Sequence, residues 1–294
     1  MRHGLAMLTL FTTPKAFLGH TGVIQTNAIR SWTLLRPRPE IILFGNEDGT
    51  ARLCGELDLV HAPDLLCNGR GTPLLSDLFE KAERLASRSL LCYTNADIIL
   101  LSDFMEMVKL AGEWGGSQVL VARRWDADVG EPLNFCDPRW EKLLKTRVSE
   151  SGKRQIGGID YFVFPRGLYQ NVPPFAIGRD FWDDWLCWEA RRRGARLVDA
   201  TAMTMAVHQN HPFGMTTEDR RTARKEEVEA NWKLNGGWQY CVRRSLPTHI
   251  FKSGKISRRI GADYFLHIYY RVVPRLLQLT YVLRRRLGLY RWRR

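Results

Sequence analysis

Two short segments set oxygen ligands where an apolar run gives way to polar residues. Leu43-Phe44 is followed by Gly45-Asn46-Glu47-Asp48-Gly49, and Tyr93 by Thr94-Asn95-Ala96-Asp97. Carboxylate and amide groups just past a buried strand can bind the polar parts of a nucleotide or a hard divalent cation. In an extended turn the period of two puts Asn95 and Asp97 on one side. The same side chains can also simply cap the next turn or helix. A third cluster, Gly178-Arg179-Asp180-Phe181-Trp182-Asp183-Asp184-Trp185, places three carboxylates at a helix start beside two indoles. The helix dipole favours acids there in any case, while flat indole faces suit sugar rings. Asp160 follows Gly157-Gly158-Ile159, a glycine pair that lets the chain approach a ligand closely. It can bind hydroxyl groups or merely lead a turn into a strand. Arg123 and Arg124 close another strand and can send one side chain to the site and one to solvent. The sequence has no P-loop, no G-x-G-x-x-G, no G-x-S-x-G and no H-E-x-x-H, so the kinase, dehydrogenase, hydrolase and zinc-protease readings lack support.

The elements that must position these residues alternate. Apolar runs predict strands over 7–12, 41–44, 57–61, 90–93, 118–122, 161–164 and 196–198. Spacings of three and four predict helices over 26–35, 74–86, 103–113, 181–193 and 217–231. The helix over 74–86 is the clearest, with Leu74, Leu75, Leu78, Phe79, Ala82 and Leu85 on one face. Residues 126–154 are polar and turn-rich and read as loops over the site. Strands alternating with helices imply an α/β fold, a mostly parallel sheet covered on both faces. Such sheets bind ligands at the carboxyl ends of their strands.

Composition agrees with a globular chain. Of 294 residues 45% are hydrophobic and 26% charged, which excludes wholesale disorder, a collagen-like fibre and a polytopic membrane protein. The net charge of +13 lies entirely in the tail: residues 242–294 hold 14 basic residues and one acid, Asp263, while residues 1–241 hold 30 of each sign. Six cysteines, none in a C-x-x-C pattern, read as buried thiols of a reducing compartment. The apolar run 5–11 lacks a small-residue cleavage site and reads as a first strand rather than a leader. No stretch has the 18–20 uncharged apolar residues of a spanning helix.

In order and separation, three elements resemble the GT-A-fold nucleotide-sugar glycosyltransferases, family 2 in particular. Residues 39–49 are similar to that family's second strand with its acidic end. Asn68-Gly69-Arg70-Gly71-Thr72-Pro73 resembles its turn beside the nucleotide, and residues 90–101 its D-x-D strand and loop. The likeness covers 7–125 well and 155–215 loosely, and Asn95 stands where the family's first Asp usually does. The resemblance implies a GT-A-type, Rossmann-like sheet and a Mn²⁺ or Mg²⁺ ion held by Asp97, with His208 completing the set and His211 a lesser candidate. It implies that Thr12, Glu47, Asp48, Arg70 and Asn95 bind the nucleotide-sugar donor. Asp184, or else Asp183, becomes the general base of an inverting transfer. Asp160, Trp182, Trp185 and Arg179 then face the acceptor, a glycan or lipid-linked hydroxyl. A sugar-phosphate nucleotidyltransferase shares the sheet, but its glycine-rich basic loop is missing after the first strand. A non-catalytic membrane- or nucleic-acid-binding protein is the other alternative.

Two domains are expected: 1–241, with a nucleotide-sugar half to about 125 and an acceptor half from 126, and a basic aromatic appendage over 242–294. Over 264–283, His267, Arg271, Arg275 and Gln278 form one stripe opposite Phe265, Ile268, Val272, Leu276, Leu279 and Leu283, and an Arg-, Tyr- and Trp-rich end follows. This basic amphipathic helix suits an anionic membrane surface, or else packs on the domain. Nucleic acid is disfavoured because the body has no second basic region. The expected location is cytoplasmic, peripheral at the inner face of the membrane.

Overall fold

The computed structural model describes residues 8–211, 218–236 and 247–259. In chain order the elements are β1 (Leu8–Thr12), α1 (Gly19–Thr33), β2 (Glu40–Phe44), α2 (Thr50–Leu57), β3 (Val60–Ala62), α3 (Leu75–Leu85) and β4 (Leu90–Thr94). Next come β5 (Ile98–Ile99), α4 (Ser102–Gly112), β6 (Gln118–Val121), β7 (Arg123–Ala127), α5 (Trp140–Ser151), β8 (Lys153–Ile159) and β9 (Tyr161–Pro165). The chain continues through α6 (Trp182–Arg192), β10 (Arg196–Asp199), β11 (Ala206–Gln209), α7 (Glu218–Leu234), β12 (His249–Lys252) and β13 (Lys255–Arg258).

Nine strands form one sheet in the order β13-β12-β10-β6-β9-β4-β1-β2-β3. Its β4-β1-β2-β3 half is parallel throughout, whereas β9 runs antiparallel to both β4 and β6. The strands read as continuous apolar runs because both faces are covered. Successive residues alternate between two cores: Leu10, Leu43, Cys92 and Val163 pack with α1 and α4, and Phe11, Phe44, Tyr93 and Phe164 with α3 and α6. The fold is therefore the expected Rossmann-like mixed α/β sheet with helices on both faces.

Sheet direction brings the carboxyl ends of β1, β2 and β4 to one edge, with Phe11 beside both Ile42 and Tyr93. Along that edge the chain must turn sharply, and Gly49 shows why glycine is needed. Its φ is +85°, and a Cβ there would lie 2.8 Å from the Phe17 Cβ. A second, four-stranded sheet, β5-β11-β7-β8, sits where the first ends.

Several elements differ from expectation. The 12-residue helix α5 lies within the region read as loops, and the β7–β8 pair closes it at both ends. Of α5 only Leu144 and Val148 are buried, a stripe too thin to stand out in the sequence. Residues 50–57 are a helix, and the strand read at 57–61 lies at 60–62. The β12–β13 hairpin pairs in parallel with β10 and places Phe251 in the core, so the sheet extends beyond the boundary drawn at residue 241. The amphipathic stretch 264–283 lies outside the described residues, as does Cys241. Cys54, Cys92 and Cys187 are buried as expected, but Cys67 and Cys136 are exposed. Among the described residues no helix is long and apolar enough to cross a membrane.

Candidate active site

The second sheet gathers the ligands. After β4 the chain passes Asn95-Ala96-Asp97 and enters β5, which pairs antiparallel with β11 so that His208 lies opposite Ile98. On its other side β11 runs parallel to β7, with His208 opposite Asp126. Thus His208 is held between the Asn95–Asp97 loop and β7. Its Nε2 lies 3.6 Å from Asp97 Oδ2, and its Nδ1 contacts Asp126 Oδ1 at 3.1 Å, an ion-pair contact rather than an aligned hydrogen bond. His211 Nε2 reaches the same Asp97 Oδ2 at 3.3 Å.

Burial alone would raise the Asp97 carboxyl, but the His211 hydrogen bond and the charges of His208, His211 and Lys15 hold it below the usual aspartate range. Its Oδ1 is shut off from solvent and accepts no hydrogen bond among the described residues. A buried carboxylate oxygen without a donor, beside two imidazole nitrogens, is a donor set that fits a divalent cation. Gln209 fixes the loop from behind: its amide donates to Asp97 O at 3.1 Å and Ile24 O at 2.7 Å, and its Oε1 accepts from Asn27 of α1 at 3.0 Å.

Asn95 does not join this group. Its Nδ2 donates to Asp160 Oδ1 at 2.7 Å, its backbone N–H to Asp160 O at 3.0 Å, and its Oδ1 accepts from Tyr93 at 3.2 Å. Arg124 completes the chain, with Nη1 2.6 Å from Asp160 Oδ2 and Nε 2.8 Å from Asp126 Oδ1. Asp160, expected at the acceptor, instead has both oxygens engaged in fixing Asn95 and Arg124. Arg124 is the member of the arginine pair that turns inward.

At the start of α6 the backbone is strained: Phe181 sits at φ +83°, a conformation costly for an aromatic residue. Asp183 is buried and accepts the Asp184 N–H at 2.9 Å, while Asp184 is half-buried beside it. The Tyr93 hydroxyl is pushed far up, first by burial and then by the charges of Asp160, Asp97 and Asp183. The start of α6 thus lies beside Tyr93 at the end of β4, with Trp182 against its ring. Trp182 and Trp185 are not open platforms. Trp182 packs edge-on to Tyr93 at 5.3 Å and against Phe162, and Trp185 lies against Phe175. They are 5% and 8% exposed, which removes them as sugar-stacking faces.

The remaining expected residues divide in two. Thr12 ends β1 with its hydroxyl buried and unbonded among the described residues, and Glu47 and Asp48 are exposed past the end of β2. Arg70 and Arg179 are instead drawn together by α7. Arg70 pairs with Glu226, and Arg179 with Glu227 at 2.7 Å. Glu227 also accepts from Asn68 at 2.7 Å, and these partners outweigh burial to keep its carboxyl low. Asn231, one turn on, accepts the Ala176 N–H at its Oδ1 and donates through Nδ2 to the carbonyls of Ala176 and Asp180. Sequence reasoning missed Asp126, Gln209, Glu227 and Asn231. Only Gln209, between the two histidines, carried a signal.

No family model matches the sequence, and no curated protein matches it. Among solved structures the chain is similar to glucosyl-3-phosphoglycerate synthase from Mycobacterium tuberculosis in complex with Mn²⁺, UDP-glucose and phosphoglyceric acid. That likeness has 15% identity and a TM-score of 0.47, covering 79% of this chain and 80% of that one. It is also similar to S. aureus TarS 1–349 in complex with UDP-GlcNAc, at 11% identity and a TM-score of 0.49, covering 78% and 66%. A mannosyltransferase from Pyrobaculum calidifontis in complex with GDP-Man and Mn²⁺ follows at 15% and 0.41, covering 76% and 63%. At these identities the likeness is one of fold alone.

Proposed function

We propose that the chain is a metal-dependent glycosyltransferase that moves a sugar from a nucleotide-diphosphate sugar, UDP-linked, to a hydroxyl of a glycan or lipid-linked acceptor. The observation that carries this reading is the Asp97 carboxylate. It is charged, largely buried and has an unbonded Oδ1, at the edge where three parallel strands end and beside His208. Asp97 and His208 would hold a Mn²⁺ or Mg²⁺ ion. A bound ion there neutralises the diphosphate as it leaves.

The chain's own residues supply the rest. Thr12, Glu47 and Asp48 rim the same edge and take the base and ribose of the donor. Asp184 accepts the proton of the acceptor hydroxyl as its oxygen bonds the anomeric carbon. The bond from that carbon to the diphosphate oxygen breaks, and the nucleoside diphosphate departs with the electron pair. Asp183, buried and bonded to the Asp184 N–H, holds the base in place. The Asp160–Arg124 pair keeps Asn95 in a fixed pose against the donor. The basic tail attaches the enzyme to an anionic membrane surface, which would bring a lipid-linked acceptor to the site.

A screen of UDP- and GDP-sugars for metal-dependent release of free nucleoside diphosphate tests the reading. Release from one donor class, lost in Asp97→Asn, supports it. No release from any donor with any divalent ion, or turnover of a sugar-1-phosphate with a nucleoside triphosphate instead, would overturn it.

A further inference from the structure

A site with one protein carboxylate holds a hard cation weakly and relies on the diphosphate to complete it. Here Asn95 is committed to Asp160 and Tyr93, so Asp97 is the one carboxylate of its loop that is turned to the site. Two imidazoles meet it. His208 Nε2 and His211 Nε2 lie 3.6 and 3.3 Å from the same Asp97 oxygen, and the ligating atoms of all three residues lie within 4.8 Å of one another. Ligands about 2.1 Å from a transition-metal ion are separated by about 3.0 Å at right angles and about 3.4 Å at tetrahedral angles. The two nitrogen–oxygen distances are therefore close to the edges of a coordination polyhedron before any ion enters.

The surroundings also match what imidazole ligation needs. Asp126 Oδ1 lies 3.1 Å from His208 Nδ1, so the opposite ring nitrogen, Nε2, is the one turned towards Asp97 and able to meet an ion. Arg124 holds Asp126 in turn, at 2.8 Å. Gln209 grips Asp97 O and belongs to the same strand as His208, so the loop and the strand are locked together. The rings of His208 and His211 are 5.4 Å apart and inclined at 57°, room enough for both nitrogens to address one point.

We propose that His211 is a third protein ligand, so that Asp97, His208 and His211 form a preorganised site that binds a transition-metal ion without nucleotide and prefers imidazole-accepting ions to Mg²⁺. The inference rests on the metal-site part of the function assigned above and does not depend on the sugar donor. A nitrogen-rich donor set ranks Co²⁺ above Mn²⁺, and both well above Mg²⁺, which demands octahedral oxygen and dehydrates reluctantly.

The test is calorimetric titration of the full chain with Co²⁺, Mn²⁺ and Mg²⁺ in the absence of nucleotide, on wild type, Asp97→Asn and His211→Gln. The expected result is one Co²⁺ per chain, affinity lowered at least ~10-fold in His211→Gln and lost in Asp97→Asn, with Mg²⁺ binding too weak to resolve. In parallel, one equivalent of diamagnetic Zn²⁺ added to ¹⁵N-labelled wild type should move the Nε2 resonances of both His208 and His211 to the metal-bound imidazole range, a readout that needs no variant to fold. Wild-type Co²⁺ affinity in His211→Gln, with the wild-type His211 Nε2 resonance unmoved by Zn²⁺ while that of His208 shifts, would overturn the proposal while leaving the Asp97–His208 site standing. Binding unaffected in Asp97→Asn would instead overturn the metal site and the functional reading built on it.

Discussion

Replacing Asn95 by Asp tests whether the Asn95–Asp97 loop is built around Asp160. Asn95 Nδ2 donates to Asp160 Oδ1 at 2.7 Å, and Asp160 is only 7% exposed. In Asn95→Asp two carboxylate oxygens would face each other at that distance. At an effective dielectric of about 20, two unit charges so placed repel by about 6 kcal/mol. The pair can escape by sharing a proton, as close carboxylates do. Taking up that proton at pH 7, against an ordinary aspartate value of about 3.9, costs about 4 kcal/mol, and this cheaper route sets the ceiling. Arg124, 2.6 Å from Asp160 Oδ2, stabilises the charge that remains. The expected loss at pH 7 is therefore about 2–4 kcal/mol. The variant pair titrates above the unfolded value, so the loss is absent below about pH 4 and grows by up to ~1.4 kcal/mol per pH unit until the folded value is passed. Urea denaturation at pH 5 and pH 7 reads this directly. The exchange Asn95→Asp/Asp160→Asn restores one donor facing one carboxylate and should recover about 2 kcal/mol or more of coupling in a double-mutant cycle. An Asn95→Asp variant as stable as wild type at pH 7, with the same pH slope, would refute the assigned contact.

Asp184→Asn should keep donor affinity while transfer falls ~10²–10⁴-fold in a rate assay, the usual worth of a positioned base. Wild-type turnover would move the base elsewhere. Glu227→Ala leaves Arg179 and Asn68 without their shared partner and should cost about 3 kcal/mol by denaturant melting, the lower end for breaking a buried pair because Arg179 can reach water. A loss under about 1 kcal/mol would show that α7 does not hold the 68–73 turn. Trp182→Ala should lower stability by about 3–5 kcal/mol, and in chaperone-rescued protein should leave acceptor KM little changed. A raised KM with intact stability would restore the stacking role. Truncation after residue 262 should release the protein from anionic vesicles while donor hydrolysis persists, since each basic residue near such a surface contributes at most ~1 kcal/mol and many must act together. Equal co-sedimentation of the truncated chain would leave the tail without a membrane role.

The parallel half of the fold was legible because its strands are buried on both faces and read as unbroken apolar runs, as in 41–44 and 90–93. Helix α3 was legible because Leu75, Leu78, Phe79 and Ala82 repeat at helical spacing and are all buried. Asp97 and His208 were found through the strand-end pattern and a family likeness rather than through any local rule. What brings them together is register: His208 opposite Ile98 on one side and opposite Asp126 on the other, pairings 110 and 82 residues apart that no window of sequence contains. The Asp160–Asn95 contact was hidden for the same reason, spanning 65 residues. Trp182 and Trp185 were misplaced although a signal existed. With Leu186 and Ala190 they complete a three-and-four-spaced buried stripe, which Asp183 and Asp184 interrupt along the sequence. The thin apolar face of α5 and the single turn-rich approach to it gave the sequence little to show.

The central claim is that the edge formed by β1, β2 and β4 binds a nucleoside diphosphate through an ion held by Asp97. Calorimetric titration of UDP into the full chain, with Mn²⁺ and then with chelator, in wild type and Asp97→Asn, tests it most directly. Binding of UDP that requires Mn²⁺ and disappears in Asp97→Asn, with the variant's fold intact by circular dichroism, is the predicted result. UDP binding that ignores the chelator, or survives unchanged in Asp97→Asn, would contradict it.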